Sequence, residues 1–134
     1  DVIDDSYNAN PSSMRAAIDV LELRQGLKIV VLGEMAELGD FSKKLHLELA
    51  KYISKSEVDK VYLIGPFAIE MAELIGEKAK VSATKDEVFS SLVNDDKIFE
   101  FDGSTLVATS VLIKGSRSTA MDELVDMIVK KAAQ

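Results

Sequence analysis

Residues 28–32 read KIVVL and are followed directly by Gly33. An apolar run without polar alternation is typical of a strand whose two faces are both covered, as in a sheet packed between helices. Two further strand-like runs follow, KVYLI at 60–64 and LVATSVLI at 106–113. Together these runs predict a sheet that is buried on both faces.

The stretches between the apolar runs show helical spacing. The first stripe follows Asn10, a good N-cap residue, and Pro11, which suits the first helical position. The five stripes are Met14, Ala17, Ile18 and Leu21; Leu45, Leu49, Tyr52 and Ile53; Phe67, Met71, Leu74 and Ile75; Val88, Phe89 and Leu92; and Met121, Leu124, Val125, Ile128 and Val129. Each predicts a helix with one buried face. Thr84 and Glu87 form a capping box at the start of the fourth.

Two weaker strands complete the pattern, at residues 1–5 and 80–83, while residues 97–104 read as either a short strand or a turn. Strands and helices therefore alternate along the whole chain. This order predicts a single α/β domain over residues 1–134, doubly wound, with a mostly parallel sheet of five to six strands and helices on both faces.

Composition narrows the possible functions. The 134 residues carry a net charge of −7 without a Lys/Arg-rich run, which argues against a nucleic-acid partner. The apolar stretches are too short to span a membrane as helices. There is no cysteine and only one histidine, His46, so we expect no thiolate or histidine-rich metal site. The chain begins with Asp1, which suggests a fragment of a longer protein.

Ligands of such sheets bind beyond the carboxyl ends of the strands, and four loops lie there. Asp4 and Asp5 emerge side by side in the first, where a carboxylate can accept hydrogen bonds from ribose hydroxyls or hold a metal; a well-capped turn is the alternative interpretation. Lys114 and Arg117 in the last loop precede a helix N-terminus, a place that favours a bound anion between cation and helix. The four loops are residues 4–11, 33–39, 65–66 and 114–118.

Three of these loops carry a family resemblance. DDSYNANPSSM at 4–14 resembles the opening of the carboxy-terminal domain of Mur ligases of the D-alanyl-D-alanine-adding type. GEMAELG at 33–39 and KGSRS at 114–118 are similar to the second and last loops of that domain. Residues 97–111 depart from the family, and no phosphate-binding loop of the G-x-x-x-x-G-K-[ST] type occurs in the chain.

The resemblance implies an ATP-dependent ligase that adds D-alanyl-D-alanine to UDP-N-acetylmuramoyl tripeptide through an acyl phosphate. It implies ATP and Mg²⁺ as cofactors, held mainly by a central domain upstream, and a further upstream domain for the uridine nucleotide. The expected partners are these substrates and the upstream domains, with no nucleic acid and no membrane. We expect a cytoplasmic monomer, and a fragment that is inactive alone.

Roles for individual residues also follow from the resemblance. The residues expected to bind ATP are Asp5, Tyr7, Asn8 and Asn10, although Asn10 also serves as a helix cap. Those expected to bind D-alanyl-D-alanine are Lys114, Ser116, Arg117, Met35 and Leu38, with Lys114 and Arg117 as catalytic candidates and no metal ligand. Glu34 and Glu37 could orient the ammonium group of the dipeptide or merely solvate their loop, and His46 reads as a structural or surface residue.

Three alternatives stay open. A phosphoacceptor receiver domain would also use Asp4, Asp5 and Lys114, but it needs an aspartate where Ile64 and Gly65 end the third strand. A stand-alone nucleotide-sensing or interaction module has the same fold, and fold alone does not decide function. The third alternative is another branch of the Mur or folylpolyglutamate ligases.

Overall fold

A computed structural model describes residues 2–4, 11–35, 39–96, 98–99, 109–115 and 121–133. These residues contain one sheet of parallel strands, in the order β1-β5-β2-β3-β4. The strands are β1 (Val2–Asp4), β2 (Leu27–Leu32), β3 (Lys60–Leu63), β4 (Ala79–Val81) and β5 (Thr109–Lys114). The helices are α1 (Pro11–Glu22), α2 (Ser42–Ser54), α3 (Ala68–Ile75), α4 (Lys85–Asn94) and α5 (Met121–Ala132), with a 3-10 turn at Gly39–Phe41 before α2.

The sheet is covered on both faces, as the apolar runs predict. Helices α1, α2 and α3 pack on one face, where Val30 and Leu112 point. Helices α4 and α5 pack on the other, against the alternate residues Val31 and Ile113. The central strands β2 and β5 therefore expose neither face to water, and the doubly wound α/β fold is confirmed.

The helical stripes are confirmed with two corrections. Leu74 is 40% exposed and Val129 is 56% exposed, although both belong to predicted buried faces. In α3 and α5 the helix therefore buries a narrower arc than its apolar residues span. Strand β4 lies at Ala79–Val81 rather than at 80–83. Residues 106–108 and most of 97–104 lie outside the described residues.

None of the helices in the described ranges is long and apolar enough to cross a membrane.

Candidate functional site

The carboxyl edge of the sheet brings together three of the four candidate loops. Strand β5 lies between β1 and β2, with Asp4 opposite Ile113 and Leu32 opposite Lys114. Neighbouring strands are about 4.8 Å apart, so the loops after β1, β5 and β2 begin within about 10 Å of one another. These loops are distant in sequence, and the topology alone makes them neighbours.

Lys114 ends β5 at the middle of that edge. The residue has no exposed surface, and its carbonyl accepts the Gly33 N–H at 2.7 Å, which ties the last loop to the second. Gly115, the next residue, is also buried. Burying an ammonium group is costly unless hydrogen-bond acceptors surround it. The strand end thus places a lysine side chain inside the fold.

Met35 lies in the second loop but not on its surface. Its side chain is only 1% exposed and belongs to the core beneath α1, α2 and α3. The thioether packs in this core, and a contact between Met35 and the dipeptide stays a prediction. Glu34, one residue earlier, is partly exposed at the same edge.

His46 is buried in α2, directly beneath the second loop. Its Nε2 accepts the N–H of Met35 at 3.0 Å, and its Nδ1 donates to the carbonyl of Ser42 at 2.7 Å. This pattern requires a neutral ring with the proton on Nδ1. Because its side chain is only 2% exposed, His46 is a buried residue and not a surface one.

The loop after β3 meets the second loop from the side. Gly65 adopts a φ of 121°, which side-chain-bearing residues rarely adopt, and a Cβ placed there would lie 3.5 Å from the Cβ of Glu34. Phe67, which precedes α3, packs on the His46 ring with the centroids 4.7 Å apart. His46 therefore contacts both loops at once.

Two open hollows among the described residues lie elsewhere. One of about 330 Å³ opens beside the start of β5 and the end of α5, which is the opposite end of the sheet. Another of about 510 Å³ lies on the outer side of α2 and is lined by Asp40, Lys43, Lys44, Leu47, Glu48 and Lys51. Neither involves a residue expected to bind substrate.

Several predicted site residues fall outside the described residues, namely Asp5, Tyr7, Asn8, Asn10, Glu37, Leu38, Ser116 and Arg117. The strand ends that carry three of the loops are described, at Asp4, Leu32 and Lys114. Sequence reasoning missed the link from His46 to Met35. The only available signal was that His46 adjoins Leu45 in the apolar stripe, which indicates burial but names no partner.

Comparison with known proteins gives a consistent result. Residues 1–117 match the family model "Mur ligase, glutamate ligase domain". The UDP-N-acetylmuramoyl-tripeptide–D-alanyl-D-alanine ligase of Buchnera aphidicola is 35% identical over 98% of this chain and 27% of its own length. The ligase of the same name from Escherichia coli is 33% identical over 92% of this chain and 26% of its own length.

Solved structures agree with the sequences. A crystal structure of MurF from Acinetobacter baumannii superposes with a TM-score of 0.81 at 36% identity, covering 96% of this chain and 27% of that one. MurF ligase from Thermotoga maritima in complex with ADP superposes with a TM-score of 0.74 at 28% identity, covering 98% and 28%. The chain thus spans about a quarter of the length of the relatives that it matches.

Proposed function

The chain belongs to the Mur ligase family, and from this membership we propose that it is the carboxy-terminal domain of a ligase that joins D-alanyl-D-alanine to UDP-N-acetylmuramoyl tripeptide. Two kinds of observation support the proposal. The ligases of Buchnera and Escherichia coli that match nearly the whole chain bear that name. The MurF structures from Acinetobacter and Thermotoga match the fold over the same extent.

The proposed reaction proceeds in two steps. The terminal carboxylate of the tripeptide attacks the γ-phosphorus of ATP, which forms an acyl phosphate and releases ADP. The free amine of D-alanyl-D-alanine then attacks the acyl carbon, and the tetrahedral intermediate expels phosphate to leave an amide bond. The nitrogen of the acceptor gives up one proton when its ammonium group becomes the free amine and a second proton as the amide forms, to solvent or to a base in the complete enzyme. Exclusion of water during these steps protects the acyl phosphate from hydrolysis.

The structural observation that carries the proposal is that β1, β5 and β2 end side by side, so that the loops after them begin at one edge of the sheet. In this arrangement Asp5 accepts hydrogen bonds from the ribose of ATP, beside Tyr7, Asn8 and Asn10. Across the same edge, the last loop binds the carboxylate of D-alanyl-D-alanine through Lys114, Ser116 and Arg117, since a guanidinium pairs with a carboxylate in bidentate fashion.

Nucleotide binding has independent support, because the Thermotoga relative was solved in complex with ADP. Magnesium is a different matter. Among the side chains that the structure describes, no three His, Asp or Glu groups come together to hold a metal ion. From the family resemblance, we propose that the upstream central domain holds Mg²⁺ and the triphosphate. The UDP-linked substrate and ATP would place the enzyme in the cytoplasm, where we expect a monomer.

The test is phosphate release by the full-length parent enzyme, supplied with ATP, Mg²⁺ and UDP-N-acetylmuramoyl tripeptide. D-Alanyl-D-alanine is compared with single amino acids as the acceptor. Asp5→Ala and Arg117→Ala are each expected to lower kcat/KM about 100-fold or more, as loss of a charge-assisted contact does. The controls are Asp126→Ala and Lys130→Ala, because both residues are exposed in the later turns of α5 and their substitution removes one charge of each sign.

Release that needs the dipeptide, together with a selective loss in the two site variants, would support the proposal. Release driven by a single amino acid would assign the chain to another ligase branch. Equal activity in site and control variants would remove Asp5 and Arg117 from the site and leave only the family membership.

A further inference from the structure

The position of His46 is unusual for a residue that merely fills the core. A leucine would fill the same volume beneath the second loop, but it would leave the N–H of Met35 without the acceptor that Nε2 provides at 3.0 Å. An unpaired buried N–H is destabilising, so the imidazole determines where this backbone can lie. The ring itself is held on its other side by the Ser42 carbonyl and by Phe67.

The backbone held in this way carries Glu34. Its neighbour Gly33 donates to Lys114, and its other neighbour Met35 donates to His46. Gly65 lies beside it, since a Cβ built there would be 3.5 Å from the Glu34 Cβ, an ordinary van der Waals contact. Glu34 therefore projects from a segment fixed at both ends, in contrast to an ordinary loop glutamate. A carboxylate so placed is suited to bind an ammonium group.

We propose that His46 is a positioning residue, which holds the Glu34–Met35 backbone so that the Glu34 carboxylate binds the ammonium group of the acceptor. This inference rests on the proposed function, in which the acceptor is an amine that reaches the carboxyl edge of the sheet. It assigns recognition of the amino end of the acceptor to Glu34.

Two substitutions of His46 test the two hydrogen bonds of its ring one at a time. In His46→Gln the side-chain oxygen reaches the position of Nε2 and can still accept the Met35 N–H. In His46→Asn the shorter amide can still donate to the Ser42 carbonyl but cannot reach Met35. Both variants are tested in the full-length parent enzyme, with the KM of the acceptor, the KM of ATP and kcat measured for each.

His46→Asn is expected to raise the KM of the acceptor about tenfold while the KM of ATP stays within about twofold, and His46→Gln is expected to recover most of the loss. Glu34→Gln should raise the acceptor KM similarly. In the double variant His46→Asn/Glu34→Gln, the acceptor KM should exceed that of Glu34→Gln by no more than about twofold. The reason is that His46 acts on the acceptor only through the Glu34 carboxylate, which Glu34→Gln has already removed.

A spectroscopic measurement covers the case in which His46→Asn fails to fold. In the wild-type enzyme, long-range ¹H–¹⁵N correlation of ¹⁵N-histidine should show a neutral Nδ1–H ring, assigned to His46 by its loss in His46→Gln. An Nε2–H ring would overturn the proposal, as would equal KM values for the Asn and Gln variants or multiplicative effects in the double variant. The choice of acceptor by the wild-type enzyme tests the proposed function separately, and the variants are compared with whichever amine it uses.

Discussion

Tyr62 shows how a single polar atom is accommodated within the apolar sheet. The residue has no exposed surface in β3, and its hydroxyl donates to Asp96 at 2.5 Å. Lys60 binds the same carboxylate at 2.9 Å and lies over the tyrosine ring. Burial, followed by the hydrogen bond to Asp96, raises the pKa of Tyr62 to about 12. The folded state thus favours the neutral phenol.

Tyr62→Phe is expected to lower the free energy of unfolding by about 1.5–3 kcal/mol at pH 7, since it removes a buried hydrogen bond to a charged group. Urea denaturation of the 134-residue chain measures this loss. The difference between wild type and variant should be constant below pH 10, the ordinary tyrosine pKa, and should shrink as pH rises towards about 12, because the unfolded phenol ionises first. Tyr52→Phe is the control, since its hydroxyl bonds to Asp19 at an exposed site. An equal loss in both variants would contradict the role of burial.

For single residues, the sequence predicts whether a side chain is buried better than it predicts its hydrogen-bond partner. The apolar run at 60–64 places Tyr62 in a covered strand, but nothing in it indicates Asp96, which is 34 residues away. The same is true of His46 and Met35. Hydrogen bonds between distant residues depend on how elements pack, so they are visible only once the fold is known.

The start of helix α4 is a feature that the local sequence predicts from its capping residues. Thr84 is its N-cap, and the threonine hydroxyl accepts the Glu87 N–H at 3.2 Å. Glu87 reaches back to the N–H of Ala83 at 2.9 Å, one residue before the cap. The capping box read from the sequence is therefore confirmed in its threonine half, and the glutamate bond is shifted by one residue.

Thr84→Ala should lower the free energy of unfolding by about 1 kcal/mol, because the Glu87 N–H loses its acceptor at the end of the helix. Thr84→Ser keeps a hydroxyl in the same place and should cost less than half as much. Thermal unfolding monitored by circular dichroism measures both. If serine and alanine were equally destabilising, the methyl group rather than the cap would be responsible.

The local sequence pattern predicts whether a segment is a helix or a strand more reliably than it predicts where that segment begins and ends or which of its residues are buried. Helical spacing predicts the five α-helices found in the described part of the chain, yet it overstates the buried arcs of α3 and α5, where Leu74 and Val129 are exposed. The periodicity shows which residues of a helix are apolar, whereas their burial depends on which neighbouring helices and strands pack against them. Strand β4, at one edge of the described sheet, begins one residue earlier and ends two residues earlier than the pattern predicts.

For the molecule as a whole, one sheet joins two cores. Leu112 belongs to the core beneath α1, α2 and α3, and Ile113 belongs to the core beneath α4 and α5. The two residues are adjacent in β5, and both are fully buried. A cavity on either side therefore weakens the same strand.

Leu112→Ala and Ile113→Ala should each lower the free energy of unfolding by about 2–5 kcal/mol, as expected for large-to-small changes in a core. Unfolding should still occur in one step. NMR signals of Tyr52, packed against the first core, and of Tyr62, within the second, should vanish at the same urea concentration. Val81→Ala, at a residue 41% exposed on β4, is the control and should cost far less. Separate midpoints for the two tyrosines would show that the cores unfold independently.

The strand order is the part of the fold that the sequence pattern does not determine. The apolar runs indicate parallel strands covered on both faces, and parallel strands direct their loops to one edge. They do not indicate that the last strand enters between the first and second. That insertion makes the loops after Asp4, Leu32 and Lys114 neighbours, and from the sequence it could be expected only through the family resemblance.

The double covering of the sheet also bears on how such a chain changes over generations. A residue in the middle of β2 or β5 has helices above or below it and no route to solvent, so replacement by a polar group is penalised whichever way it points. The outer faces of the helices and the partly exposed β4 are freer. Inherited variation should therefore accumulate at the rim of the domain, while its central strands change only among apolar residues of similar size.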